Sequence, residues 1–203
     1  MAMGGLRKAL CGIIGCPEAV EGAWTGKATR NAPGGAEIGY TLFCLGPLSN
    51  WQPSPFRLDD RDFGSLEQYL MWRKADLFED RAVAAAILAA PGAARAKELG
   101  RDVKGFDPLR WYCAAKDAMR RGAYLCKFAQ HAPSREALLE TRGTVIVEAS
   151  NSDFVWGVGL PEYDARAWHV AEWRGTNWAG EVLTTVRERI LVDIARGGAA
   201  TVG

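Results

Sequence analysis

Between Ser65 and Gly143 the chain offers one helical segment after another, divided by Pro, Gly and capping residues rather than by strands. This succession restricts the fold more than any other feature. "SLEQYLMWRKADLF" (65–78) reads as a helix with Ser65 as the candidate N-cap, two residues before Glu67. "EDRAVAAAILAA" is helical until Pro91-Gly92 stops it, and "GAARAKELGR" ends near Gly100. "PLRWYCAAKDAMRRGAYLCKFAQ" sets Trp111, Ala115 and Met119 at four-residue spacing on one helix face. "SREALLETRG" follows, with Ser134 as cap and Gly143 as stop. The last helix, "GEVLTTVRERILVDIAR", is expected to bury Val182, Leu183, Val186, Ile190 and Ile194.

Strand signals are sparse: "IGYTLFCLG" (38–46) and the β-branched "TVIVEAS". Three prolines in "PLSNWQPSPF" force a loop. Strand and helix do not alternate regularly, which disfavours a doubly wound sheet. The expectation is a mainly α fold, a single multihelical domain over residues 38–203 with a few short β-strands. Residues 1–37 are Gly- and Ala-rich, lack a sustained period, and read as a loosely attached extension. A length of 203 residues suits one sizeable core.

The helix at 65–78 raises a chemical question. At about 100° per residue, Leu66, Leu77, Leu70, Lys74, Glu67, Phe78 and Met71 fall within one arc of roughly 140°. An apolar stripe normally excludes charge, because an unpaired buried ion is costly. Seven residues is about 10 Å of helix rise, too far for an i, i+4 salt bridge. Either each charge pairs with another helix or Lys74 snorkels outward, or both converge on a ligand lying against this face.

A second cluster lies in residues 147–180, which hold Trp156, Trp168, Trp173 and Trp178, four of the eight tryptophans. They are interleaved with Gly, Asn and Asp, so they either stack on a planar ligand or cover the core. Asp153 follows the end of a strand, where it can serve catalysis or cap a turn. "GVGLPE" is no dinucleotide fingerprint, since Pro161 falls where the phosphate-cradling helix should begin. A Ser-His-Asp triad would need His131 or His169, and neither lies near a serine nucleophile motif.

Twenty-five basic and 24 acidic residues leave a net charge of +1, which gives no electrostatic case for a nucleic-acid backbone or a membrane surface as the main partner. Five cysteines without a CxxC pair, and only two histidines, point to reduced thiols and argue against structural zinc. No run approaches the ~18 apolar residues of a spanning helix. The reading is a soluble, cytoplasmic protein with no cofactor.

Five blocks in order carry a family resemblance: "PLSNWQPSPF", "SLEQYLMWRKA", "KFAQ" with "LLETRG", "IVEASNSDFVWGVG" and "GTNWAGEVLTTVRERI". With E-x6-K from Glu67 to Lys74 and D-x2-WG-x-G from Asp153, the set resembles the NADAR family of YbiA-like N-glycosidases over about residues 40–190. The resemblance implies a mainly helical YbiA-like domain that cleaves an N-glycosidic bond. It implies small-molecule substrates, either phosphoribosylated riboflavin-pathway intermediates or ADP-ribose joined to guanine; nucleic acid enters only as an ADP-ribosylated substrate. A non-catalytic ADP-ribose- or NAD-binding module is the third reading. Catalytic roles carry over to Glu67, Lys74 and Asp153, and substrate binding to Asn50, Trp111, Trp156, Asn177 and Arg187. The resemblance admits a lysine-linked, Schiff-base-like sugar intermediate. Arg57, Arg61, Arg73 and Lys104 could line the basic groove that a guanine-bound substrate needs. Two departures are Leu48, where an aromatic often precedes Ser-Asn, and Ala179, where leucine is usual before Gly180.

Overall fold

The computed structural model describes residues 25–31 and 37–197. Most of the expected N-terminal extension, with Cys11 and Cys16, lies outside the described residues. The chain divides into two compact units.

One unit holds the described residues up to Gly46 together with Thr141–Thr184. Its sheet has the order β1 (Thr25–Asn31), β2 (Glu37–Phe43), β5 (Thr144–Glu148). β1 runs antiparallel to β2 and β5 parallel to it, with Leu42 opposite Val147. Residues 25–31, read from sequence as extension, therefore pair as a strand. Side chains alternate across a strand, so Tyr40 and Leu42 share a face with Val147 and Ala149. Val158, Leu160 and Ala167 cover that face, and Trp168 and Trp173 pack against it. These two tryptophans thus cover the core. Trp173 Nε1 also donates to Ala167 O at 2.9 Å.

The start of α7 (Trp178–Ala195) is latched to this sheet by Asn177. Asn177 sits in the left-handed region (φ 54°). Its Nδ2 donates to Ile146 O and its Oδ1 accepts the Glu148 N–H, each at 2.9 Å. A Cβ on Gly180 would fall far inside van der Waals contact of Ile146 O. Backbone cannot swing away as a side chain can, so Gly180→Ala is expected to cost about 2–4 kcal/mol, read by urea denaturation. A loss below about 0.5 kcal/mol would show that the helix start can shift to make room.

The other unit holds Pro47–Glu140 and the described residues from Thr185 onward. A short hairpin, β3 (Phe56–Leu58) and β4 (Arg61–Phe63), precedes α1 (Leu66–Leu77). Next come α2 (Arg81–Leu88), α3 (Ala93–Arg101), α4 (Pro108–Gly122), a π turn (Ala123–Lys127), and the short α5 (Phe128–Gln130) and α6 (Ala132–Leu139). α1 is the hub, packed by α2, α3 and α4. It buries residues on every side, Gln68, Tyr69 and Trp72 as well as Leu66 and Leu70. The single stripe expected from its sequence is thereby replaced by burial all round. Ser65 caps it, accepting the Gln68 N–H at 3.2 Å. Phe56, Phe63, Tyr69 and Trp72 form an aromatic cluster with centroids 5.3–6.4 Å apart.

Several local expectations are corrected. α6 is capped by His131, whose Nδ1 accepts the Ser134 N–H, and Ser134 lies inside the helix. Ile194 is 51% exposed, because the buried face of α7 ends at Ile190. The long helix after Pro108 is interrupted by the π turn. Cys44 is disulfide-bonded rather than reduced, while Cys113 and Cys126 are free thiols. No helix among the described residues is long and apolar enough to cross a membrane.

Candidate active site

A helix leaves its first four N–H groups without intrahelical partners. At α1, Ser65 satisfies one of them and the Asn50 carbonyl another, accepting the Glu67 N–H at 3.0 Å. Asn50 and Glu67 are thereby brought together. Glu67 is 3% exposed, and its Oε1 lies 3.0 Å from Lys97 Nζ on α3. This contact is an ion pair without hydrogen-bond alignment, so Glu67 Oε1 remains unsatisfied, as does the buried Asn50 Oδ1. Asn50 Oδ1, on the residue whose carbonyl meets the Glu67 N–H, is a buried acceptor that a polar ligand could satisfy.

Two turns along α1, Lys74 Nζ donates to Gly100 O at 2.7 Å and sits 3.8 Å from the Phe106 ring centroid. Gly100 belongs to the last turn of α3, where carbonyls lack intrahelical donors and the helix dipole is negative. Burial lowers the Lys74 pKa, and the charge of Lys97 lowers it further. Lys97 therefore acts on both catalytic candidates of α1, pairing with Glu67 and repelling a proton from Lys74. Sequence reading missed Lys97, because a lysine inside "AARAKELGR" looks like an ordinary solvent-facing helix residue.

Lys127 was missed as well. It ends the π turn, is fully buried, and donates to Ser49 O at 2.6 Å, next to Asn50. Among the described residues no carboxylate pairs with it, and burial lowers its pKa to about 7. The available signal was its place in the "KFAQ" block.

The remaining candidates are placed as follows. Trp111, on α4, lines a groove with Tyr69 and Arg73. Arg187 is buried on α7 and pairs with Glu188 at 2.9 Å. In the sheet unit, Asp153 Oδ1 accepts the N–H groups of Val155 and Trp156, at 2.9 and 2.7 Å, holding the turn that presents Trp156. Trp156 meets Trp178 edge to face at 5.8 Å. The Asn177 amide is engaged with β5 on both its oxygen and its nitrogen. Of the arginines expected to form a basic groove, Arg57 pairs with Asp62 and Arg73 with Asp76. Arg61 donates to Asp59 O and stacks 4.7 Å from the Trp72 ring. Much of that positive charge is neutralised locally.

A family model, the NADAR domain, matches residues 44–191. Protein irg-1 of Caenorhabditis elegans is 42% identical over 167 residues, covering 74% of this chain and 77% of that protein. An N-glycosidase of Acanthamoeba polyphaga mimivirus is 38% identical over 146 residues, 70% of this chain and 85% of the viral one. The NMR structure of the Escherichia coli protein YbiA superposes with a TM-score of 0.63 at 25% identity, covering 77% of this chain and 87% of YbiA.

Proposed function

We propose, because this chain belongs to the NADAR family, that it is an N-glycosidase hydrolysing the bond between a phosphoribosyl group and a base or amine. The observation that carries this reading is the charged set on α1 and α3: buried Glu67 against half-buried Lys97, and half-buried Lys74 with a lowered pKa. Cleavage at an anomeric carbon develops positive charge on the sugar, which a nearby carboxylate stabilises. Glu67 supplies that carboxylate and can pass a proton to or from the reacting groups.

Lys74 supplies the nucleophile. Its neutral amine attacks the anomeric carbon, and the carbon–nitrogen bond to the base breaks. The electron pair leaves with the base, which takes up a proton. The sugar ring opens, its ring oxygen taking up a proton, which turns the lysine adduct into a Schiff base; water adds to that carbon and the amine leaves, so the net reaction adds one water and releases sugar and base. Burial and Lys97 favour the neutral amine this step needs. The locally paired arginines favour a small substrate over one carried on a polyanion.

The test is direct: the protein is incubated separately with a phosphoribosylated pyrimidine and with ADP-ribosylated guanosine, and free sugar is measured. Release from the first is expected. Release from the second alone would move the activity to ADP-ribosyl-guanine. Cleavage of neither, with ADP-ribose still bound, would make the protein a binding module.

A further inference from the structure

The loop between α3 and α4 carries Phe106 to the amine of Lys74, and the loop is held along its length. The Asp102 N–H donates to Leu99 O at 3.0 Å, and Val103 is buried. The Lys104 N–H donates to Asp80 Oδ2 at 3.0 Å while Asp80 Oδ1 accepts the Val83 N–H, so the carboxylate that caps α2 also pins the loop. Gly105 turns the chain through the left-handed region (φ 65°), where glycine is the favoured residue. Asp107 then caps α4, accepting the Arg110 N–H at 2.7 Å. A backbone anchored at so many points presents an aromatic ring that is nevertheless 40% exposed.

Two contacts orient the ring. Phe78 meets it nearly edge-on, with centroids 5.5 Å apart and planes at 66°, and Lys74 Nζ sits 3.8 Å from the ring centroid. The same Nζ donates to Gly100 O at 2.7 Å. An aromatic face carries negative potential, and a carbonyl in the last turn of a helix lies at the negative end of its dipole. The amine therefore stands between two groups that attract positive charge. Burial and the charge of Lys97 act in the opposite sense and favour the neutral amine. In the resting protein these influences oppose one another.

We infer, resting on the N-glycosidase reading, that Phe106 is a further catalytic residue: its ring face, with the Gly100 carbonyl, stabilises the positive charge that forms on Lys74 Nζ as the glycosidic bond breaks. The neutral amine gives one N–H to Gly100 O and turns the other to the ring, leaving its lone pair for the anomeric carbon. As the new carbon–nitrogen bond forms, the electron pair of the old one leaves with the base and Nζ becomes an ammonium. The ammonium then gives up one proton and the sugar's ring oxygen gains one. The carbon–oxygen bond breaks with its electron pair on that oxygen, and the nitrogen lone pair closes the C=N bond. Nζ is again cationic, as a protonated Schiff base with one N–H left for Gly100 O. An aromatic face attracts either cation far more than it attracts a neutral amine. Such a contact, stronger in the transition state than before it, raises kcat and leaves KM little changed.

The test places mono-, di- and trifluorophenylalanine at position 106 of the full chain, a series that keeps the ring's shape while draining negative potential from its face. Base release from a phosphoribosylated pyrimidine is timed in single turnovers. The logarithm of the rate constant is expected to fall steadily along the series, reaching about a tenfold loss with the trifluoro ring. The steady-state KM should stay within about twofold of wild type. Phe106→Leu should lose at least as much rate as the trifluoro ring, with helical circular dichroism retained. A flat fluorine series, in a protein that releases base and yields a borohydride-trapped Lys74 adduct, overturns this role alone and leaves the glycosidase reading standing. A loss in Phe106→Leu without a graded fluorine response would assign the ring to packing and overturn the role as well. If wild type releases no base, or releases it with no trapped adduct, catalysis through Lys74 fails and the role of Phe106 falls with it.

Discussion

Lys74→Met is expected to lower kcat/KM for N-glycoside cleavage by about a thousandfold or more while leaving the fold in place, a loss typical of removing a covalent nucleophile. The amine makes two contacts in the folded protein, the bond to Gly100 O and the approach to the Phe106 ring. Each is worth about 1 kcal/mol at most for a half-buried group, so stability should change little. Lys74→Arg should not restore activity, because a guanidinium stays protonated and cannot attack carbon. In wild type the rate should rise with pH through the lowered pKa of Lys74, as the neutral amine becomes the main form. Borohydride should trap a sugar adduct in wild type and none in Lys74→Met. If the variant keeps activity within about tenfold of wild type, Lys74 only packs α1 against α3 and the nucleophile lies elsewhere.

The helical frame was legible in the sequence because its signals are local. Ser65 and Pro91-Gly92 mark helix ends through hydrogen bonds and dihedrals within a few residues, whereas the helix expected to stop at Gly143 ends at Leu139, with Glu140 as its C-cap. β1 was not legible: "TGKATRN" carries no apolar alternation, and it becomes a strand through pairing with β2. The interruption after Gly122 was also hidden, since nothing in "GAYLCKFAQ" breaks a helical period. His131 replaced Ser134 as cap because either side chain can accept an N–H, and the fold chose the earlier one.

The site was legible in the same partial way. Glu67 and Lys74 stood out because charge in an apolar arc is costly. Their partners did not stand out. Lys97 and the Gly100 carbonyl come from α3, and a helix–helix contact leaves no trace in local periodicity. Trp168 and Trp173 show the reverse: the aromatic run left stacking on a ligand and covering the core both open, and these two cover the sheet. Sequence pattern reveals which residues sit in unusual places, and only the packed structure reveals what they meet there.

Lys127 is where burial should be easiest to measure. Its folded pKa of about 7 lies well below the 10.5 of an exposed lysine. Across that window the unfolded chain binds more protons than the folded one, so stability rises with pH. Between pH 7 and 8.5 the gain is about 1–2 kcal/mol, an increase of about 3–6 °C in Tm for a domain of this size. The neighbouring Cys126 opposes this only at higher pH, since burial pushes its thiol from 9.0 up to about 12 and the resulting loss begins above pH 9. Lys127→Met should therefore flatten the stability profile between pH 7 and 8.5, and the difference from wild type isolates the lysine. The same substitution frees Ser49 O and with it the peptide that brings the Asn50 carbonyl to the Glu67 N–H. Under the glycosidase reading, kcat should fall about ten- to a hundredfold at a pH where both proteins are fully folded, the usual cost of a displaced catalytic group. Parallel stability profiles for the two proteins would mean that Lys127 reaches water and titrates normally. A flattened profile with unchanged kcat would keep the buried amine and remove its hold on Glu67.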